Sequence, residues 1–483
     1  MSAFLAQLDA FFQAFVVGPI SALIFFDLAF WDDGQPGETA LPAVVCWLAI
    51  AALFFTLRFR FVSVRGFRHG SEVVRGLYAR AEDRGEISPF QALSAALAAT
   101  LGLGNIAGVA TAVGIGGPGA VFWMVLAGAL GMSAKFAEVT LAQMYRVTRS
   151  DGHVSGGPMH YLRAGLAELG WPRLGAVLAV VFAVMCIGGS FGGGNMYQAN
   201  QAFAQFANVV PAFSGTGGAV AFGVALSALV GLVIIGGIRR IGEVAALLVP
   251  LMCGIYLIAG FAILALHWAE LPAAFVTIVR GAFAPDAAFG GAVGVLITGF
   301  RRAAFSNEAG CGSAPIAHSA ATTSEPVRQG LAALLEPFVD TVIVCNMTGL
   351  VVVVTGAYAA PEAGSGIAMT SWAFASVFPG FEYVLSLAAL LFAYATMISW
   401  SYYGEQCWVQ LFGLRSLLAY KLIFLLFTWA GAVISAGAVL EFGDLMILGM
   451  AFPNLVGVVL LSGKISEALE DYLARLRRGQ FQR

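Results

Sequence analysis

From residue 41 to residue 462 one pattern recurs: about 20 apolar residues, then a short polar or glycine-rich connection. A stretch of that length crosses the hydrocarbon core of a bilayer as a helix. The pattern places spans near 41–60, 91–115, 118–145, 174–205, 219–237, 243–267, 290–312, 330–356, 382–403, 414–436 and 441–462, eleven in all. Residues 10–30 are a twelfth candidate. Gly18-Pro19 interrupts them and Asp27 sits near their end, so a span and a re-entrant or interfacial segment both fit. The chain of 483 residues is 59% hydrophobic and only 11% charged, against about a quarter charged in soluble proteins. A core cannot hide so much apolar side chain, so lipid is the solvent for much of the surface, and no segment is long enough to fold outside the membrane.

The same counts exclude other classes. A net charge of −2 gives no basic field for nucleic acid. The six cysteines lie in apolar surroundings without a CxxC pair, and the five histidines make no HxxxH or HExxH pattern. Neither a disulfide framework nor a metal centre is expected, and no cofactor. Arg58 is the first basic residue, so the basic n-region of a cleaved signal peptide is missing.

Positive charge orients the spans. Seven arginines fall in 58–84, and Arg146, Arg149, Arg163, Arg173, Arg239, Arg240, Arg328, Arg415 and the tail from Lys464 follow in alternate connections. The opposite connections hold Arg280 alone. The arginine-rich face is therefore expected in the cytoplasm, with the C-terminus on that side of a plasma (inner) membrane. The tail KISEALEDYLARLRRGQFQR puts Ile465, Leu469, Tyr472, Leu473 and Leu476 on one helical face, which suits a helix lying on the membrane surface or a solvated one.

The stretch ATLGLGNIAGVATAVGIGGPGA, residues 99–120, holds seven glycines inside an apolar frame. In hydrocarbon every backbone polar group needs a partner, so an opened turn persists only where it lines a cavity or binds something. Discontinuous helices in transporters do this, offering carbonyls to a cation and N–H groups to an anion. Gly102 and Gly104 permit such a turn, Thr100 and Asn105 offer oxygens to a cation, and the freed N–H groups suit a carboxylate. The spacing also fits close helix packing, Gly104-xxx-Gly108. A second break favours the binding reading. Five spans run from residue 91 and five more from 290, and the first of the second five carries GVLITGFRRAAFSNEAGCGSAP. An odd number of spans per half makes the halves point oppositely, as inverted repeats require.

The blocks GLGNIAGVATAVGIGGPGAVFWM, KFAEVTLAQMYR, SGGPMHYL, GGGNMYQAN, GIRRIGEVAALLVP, RAAFSNEAGCGSAPIAHSAA, EPVRQG and SWSYYGEQC, in this order, resemble the alanine or glycine:cation symporter family. The resemblance implies an all-α membrane protein of leucine-transporter type, with two inverted five-helix repeats and one or more added N-terminal helices. Its boundaries would be 1–90 for the N-terminal part, 91–268 and 269–463 for the repeats, and 464–483 for the tail. It implies sodium-coupled uptake of a small neutral amino acid, alanine or glycine. The alternatives are a proton-coupled transporter or one of altered specificity, and then a passive channel.

By the same resemblance Leu103, Gly104 and Asn105 sit at the substrate carboxylate and cation. Gln198 and Trp400 contact substrate, and Thr298 and Gly299 mark the break of the second repeat. Thr396 meets sodium opposite carbonyls near Ala98 and Leu101, with Thr100 and Asn105. Helix–helix hydrogen bonding is the other use of Gln198, and an interfacial anchor the other use of Trp400. The family usually has Ser or Thr at Leu103, and Ser or Thr is common at Ala395, so pocket shape and a cation ligand differ here.

Ionisable residues inside the spans are functional or paired. Lys135 and Glu138, three apart, are expected to neutralise each other near the cytoplasmic end. Arg301 and Arg302 with Glu308, Glu336 and Asp340 are expected either to gate the cytoplasmic side or to pair structurally. An intramembrane enzyme would need facing catalytic groups, and no DxxxD, HxxxD or GxSxG stands out in the spans. His160, in a connection, reads as structural.

Overall fold

The computed structural model describes residues 18–29, 40–80, 82–283, 291–434 and 436–481. Of the twelfth candidate it describes a helix over Gly18–Ile24; the first part of that segment and its last residue lie outside the described residues.

All eleven expected segments are helical. They are α1 (Ala43–Arg58), the bent pair α2 (Pro89–Thr100) and α3 (Gly104–Gly116), α4 (Gly119–Met144), α5 (Pro172–Val209), α6 (Thr216–Ile234), α7 (Gly237–Leu266), α8 (Gly291–Asn307), α9 (Pro326–Val354), α10 (Phe381–Phe412), α11 (Leu417–Val433) and α12 (Gly437–Leu460). A further helix, α13, covers Ser462–Arg477. Eight helices among the described residues are long and apolar enough to cross a membrane, or nine counting the bent pair as one. Of the rest, α1 has 16 residues and α8 has 17, and α8 is diluted by Arg301 and Arg302. A 13-residue helix, Leu271–Phe283, occupies what the sequence reads as a connection. It packs on α4, where Trp123 Nε1 donates to Ala282 O at 3.2 Å.

Local chemistry starts α2. Ser88 Oγ accepts from the Gln91 N–H at 3.2 Å, Gln91 Oε1 accepts from the Ser88 N–H at 2.9 Å, and Pro89 takes the first helical position. The axis then turns by 52° into α3. Packing sorts the helices into two groups: α4 lies against α1, α8 and α9, while α5 lies against α10, α11 and α12, and α6 against α11.

Three helices loosen into π-helical turns, over Gly104–Gly108, Gly192–Met196 and Phe338–Cys345. Such turns leave carbonyls free and recur at functional sites.

Three expectations are corrected here. Thr298 and Gly299 do not open the second repeat; α8 runs unbroken through them. A Cβ on Gly299 would stand 2.6 Å from Trp123 Cβ, so that glycine lets α8 press on α4. The chain breaks instead after Asn307, where Glu308, Gly310 and Gly312 all take positive φ (54°, 90° and 87°), before a short helix over Ala314–His318.

Lys135 does not pair with Glu138. It reaches Glu336 at 3.0 Å with both side chains fully buried, and Glu138 instead accepts from Asn454 Nδ2 at 2.5 Å. The α13 helix lies neither in lipid nor free in solvent. Ile465, Leu469 and Tyr472 are buried against the protein, Tyr472 Oη meets His69 Nε2 at 2.7 Å, and Arg475 grips Glu325 through two bonds of 2.7 and 2.8 Å.

Candidate functional site

A small cavity of about 10 Å³ lies where the first break, the glycine turn of α5, the end of α8, α10 and α12 meet. Thr100, Gly102, Gly104, Gly193, Gln198, Phe305, Glu308, Trp400 and Ile447 line it, with Ala99. The bend between α2 and α3 supplies its polar wall. The Leu103 N–H donates to Gln198 Oε1 at 2.9 Å, and Gln198 Nε2 donates to Gly193 O at 2.9 Å. One amide thus ties the break of the first helix to the loosened turn of α5. The Gly102 N–H donates to Asn105 Oδ1 at 3.1 Å.

Glycine at 102 is required by the close approach: an added Cβ would stand 2.7 Å from Thr396 Oγ1 and 2.9 Å from Gln198 Oε1. Gly194 is as constrained, since its Cβ would fall 2.2 Å from the Trp400 ring. Gly194 therefore seats Trp400 on bare backbone, while Gly192 faces Phe442 and Gly193 faces Ile447. Trp400 is 1% exposed and its indole donates to Glu308 Oε1 at 3.2 Å, which rules out an interfacial anchor.

The residues expected at a cation separate into two places. Thr396 Oγ1 donates to Ala98 O at 2.9 Å, bringing the hydroxyl of α10 to the carbonyl end of α2 beside Leu101, whose backbone has left the helix. Thr100 Oγ1 bonds back to Ala96 O and Leu97 O, at 3.2 and 3.4 Å, on the helix's own ladder. Asn105 faces the other way. Its amide donates to Asp340 Oδ1 at 2.7 Å and lies 3.3 Å from Cys345 Sγ, and Thr348 Oγ1 donates to Asn105 O at 2.8 Å. Ser306 and Thr341 also donate to Asp340, at 2.9 and 2.6 Å.

Thr298 and Gly299 are absent from the cavity wall. Asn195 and Asn200 donate to carbonyls of α11 and its end, at 2.7 Å to Phe424 O and 2.9 Å to Ile434 O, so those amides join helices.

The acids expected beside Arg301 and Arg302 are elsewhere. Both arginines engage Asp444 of α12, Arg301 Nη2 at 2.8 Å and Arg302 by a closer contact. Asp444 sits one turn before Ile447 and Arg302 one turn before Phe305, so the pair lies on the arginine-poor side of the cavity, opposite to the expected gate. His160 stands apart from the site, with Nε2 2.8 Å from Ser155 Oγ. Ala99, Gly193, Phe305, Glu308 and Ile447 are wall residues that sequence reasoning did not name as binding, and Gly102 it named only as part of the opened turn. The glycine run and an acid inside an apolar segment were the signals available for two of them.

Known proteins carry the same design. A profile of the sodium:alanine symporter family matches residues 37–483. The sodium/alanine symporter AgcS of Methanococcus maripaludis is 39% identical over 427 residues, covering 88% of this chain and 92% of its own. "Probable sodium/glutamine symporter GlnT" of Bacillus subtilis is 36% identical over 440 residues, covering 89% of this chain and 87% of its own. Among solved structures, MhsT in complex with L-phenylalanine superposes with a TM-score of 0.52 at 14% identity, covering 78% of this chain and 99% of that one, and it shows the leucine-transporter-type fold. A matched family, a multi-pass helical fold and a polar cavity at the break of a membrane helix lead to one conclusion: the chain belongs to the sodium:alanine symporter family and is a cation-coupled amino-acid symporter, not an enzyme.

Proposed function

We propose that this protein carries alanine or glycine into the cell with sodium, by alternating access to the cavity between α2/α3, α5, α8, α10 and α12. The observation that carries the reading is the opened backbone at residues 101–104, whose Leu103 N–H bonds to Gln198 of the cavity wall, with Thr396 Oγ1 at the Ala98 carbonyl. Gln198 Oε1 accepts from the Leu103 N–H. An incoming carboxylate takes that donor and gains from the partial positive charge at the start of α3. Sodium sits at Thr396 and the carbonyls of Ala98 and Leu101, where α2 and α10 meet. Because α2 belongs to both sites, each ligand favours the arrangement the other needs, which is the thermodynamic basis of coupling.

The bulky Phe305, Trp400 and Ile447 close the apolar side of the cavity, which suits a small solute. Leu103 contributes its N–H, so the family's hydroxyl at that position is dispensable for the carboxylate. Ala395 leaves Thr396 as the side-chain oxygen offered by this turn of α10. The arginine-rich connections, with α13, face the cytoplasm.

The test is uptake of radiolabelled alanine, glycine and glutamine into proteoliposomes under an inward sodium gradient, or under potassium or a proton gradient. Concentrative uptake of alanine and glycine, but not glutamine, with sodium alone is expected. Equal uptake under a proton gradient would replace sodium with the proton, and glutamine uptake would replace the small-solute reading.

A further inference from the structure

The cavity wall contains one ionisable side chain, Glu308, among the described residues. The backbone there is strained: Glu308 holds φ at 54°, a region that non-glycine residues seldom enter, and one found at functional sites. The strain sets the carboxyl between Trp400 Nε1, which donates to Oε1 at 3.2 Å, and Ser313 Oγ, which donates to Oε2. Both donors are neutral.

The titratable groups around it are Lys135 from α4, Glu336 and Asp340 from α9, Tyr403 from α10, Cys186 from α5 and Cys311 from its own loop. Glu138 lies beyond, next to Lys135. Lys135 is committed to Glu336 at 3.0 Å, and His318 stands 3.5 Å from that same carboxylate. Arg301 and Arg302 are held by Asp444. Four carboxyls, Glu138, Glu308, Glu336 and Asp340, none more than 2% exposed, therefore share at most two positive charges, Lys135 and His318; both are in contact with Glu336, and Lys135 reaches Glu138 and Glu308 only at a distance. A buried carboxylate without a cation is strongly disfavoured against its neutral form.

Resting on the reading that the cavity takes an amino acid, we propose that the Glu308 carboxyl accepts the ammonium group of that amino acid, and that it is protonated while the cavity is empty. Loading the cavity then releases a proton. The O–H bond of the carboxyl breaks, the proton passes to water in the passage by which the solute entered, and the ammonium takes its place beside the oxygen. No bond to the solute forms, and the local charge is the same before and after. The carboxylate end of the solute rests on the Leu103 side of the cavity and the ammonium end on Glu308. Acid competes with the solute for Glu308, which makes transport pH-dependent even when sodium is the coupling ion.

The experiment uses purified full-length protein in detergent with saturating sodium, in weak buffer with a pH indicator. L-Alanine is added while binding is followed separately with radiolabelled alanine. At pH 7 about one proton released per alanine bound is expected, with alanine affinity falling as pH is lowered. E308Q is expected to release none, whereas H160Q, which removes a titratable group away from the cavity, is expected to release the proton still. Alanine binding without proton release in the wild type overturns the inference and leaves the proposed function standing. A full release from E308Q overturns it too. No alanine binding at all removes the proposed function and this inference with it.

Discussion

Thr396 joins two helices through one oxygen, and single atoms of this kind set the chemistry of the site. Its hydroxyl reaches Ala98 O at 2.9 Å. Replacing it with Val removes a ligand and keeps the shape. T396V is expected to raise the sodium concentration for half-maximal uptake about tenfold, a loss of about 1.4 kcal/mol, with T396S restoring it. A sodium titration of uptake at fixed alanine checks this, and an unchanged midpoint would move the cation away from α10. Gln198 is the second such residue. Q198L leaves the Leu103 N–H buried without an acceptor, so a loss of about 1–3 kcal/mol in stability is expected by thermal unfolding in detergent, part of it regained when the carboxylate of added alanine supplies the acceptor. The sequence identified Gln198 and Trp400 as polar or bulky groups with two uses each. For Gln198 the structure shows the helix-joining use, the amide tying the Leu103 N–H at the α2–α3 break to α5, and the same side chain lines the cavity.

At the scale of the element, the loosened turns of α3, α5 and α9 are the working parts. Their glycines were plain in the sequence for the first two, but the third, Phe338–Cys345, has none, and nothing in its apolar pattern marks it. It forms where Asp340 turns toward Asn105 and Ser306, some 235 and 34 positions away, and Thr341 accepts from Asn307. G194A tests the α5 turn. A methyl group 2.2 Å from the Trp400 ring overpacks the contact, and a loss of about 1–3 kcal/mol in stability, together with loss of uptake, is expected. Wild-type uptake by G194A would mean that Trp400 is free to move.

The ion pair between α8 and α12 invites a similar test. D444N strands the buried Arg302, so a destabilisation of about 3–5 kcal/mol is expected by thermal unfolding in detergent. R301A, at a side chain 35% exposed, is expected to be milder in stability yet to alter transport. An equal loss in both variants would put the weight of the pair on Arg301.

For the whole molecule, pH acts on the arginine-rich face as well as on the cavity. Burial, reinforced by the charges of Arg149 and Arg163, pushes the imidazole of His160 down to about 4. The unfolded chain takes up that proton near pH 6.5, before the folded one does. Stability is therefore unaffected above about pH 6.5 and falls as pH drops toward 4, by about 3 kcal/mol over that window. H160Q is expected to flatten the decline of the thermal midpoint between pH 7 and 4.5. The sequence by itself determined that the chain lives in lipid, where its apolar segments run, and that the backbone opens between Thr100 and Gly104. Each of these follows from properties of neighbouring residues: apolar length, charge and glycine content. The tertiary structure alone decided which charges meet. Lys135 chose Glu336 over Glu138 three residues away, the paired arginines chose Asp444, and the second break fell at Glu308 rather than at Thr298. In a low-dielectric interior a charge settles wherever packing brings a partner within about 3–4 Å, and that distance is set by helices far apart in the chain.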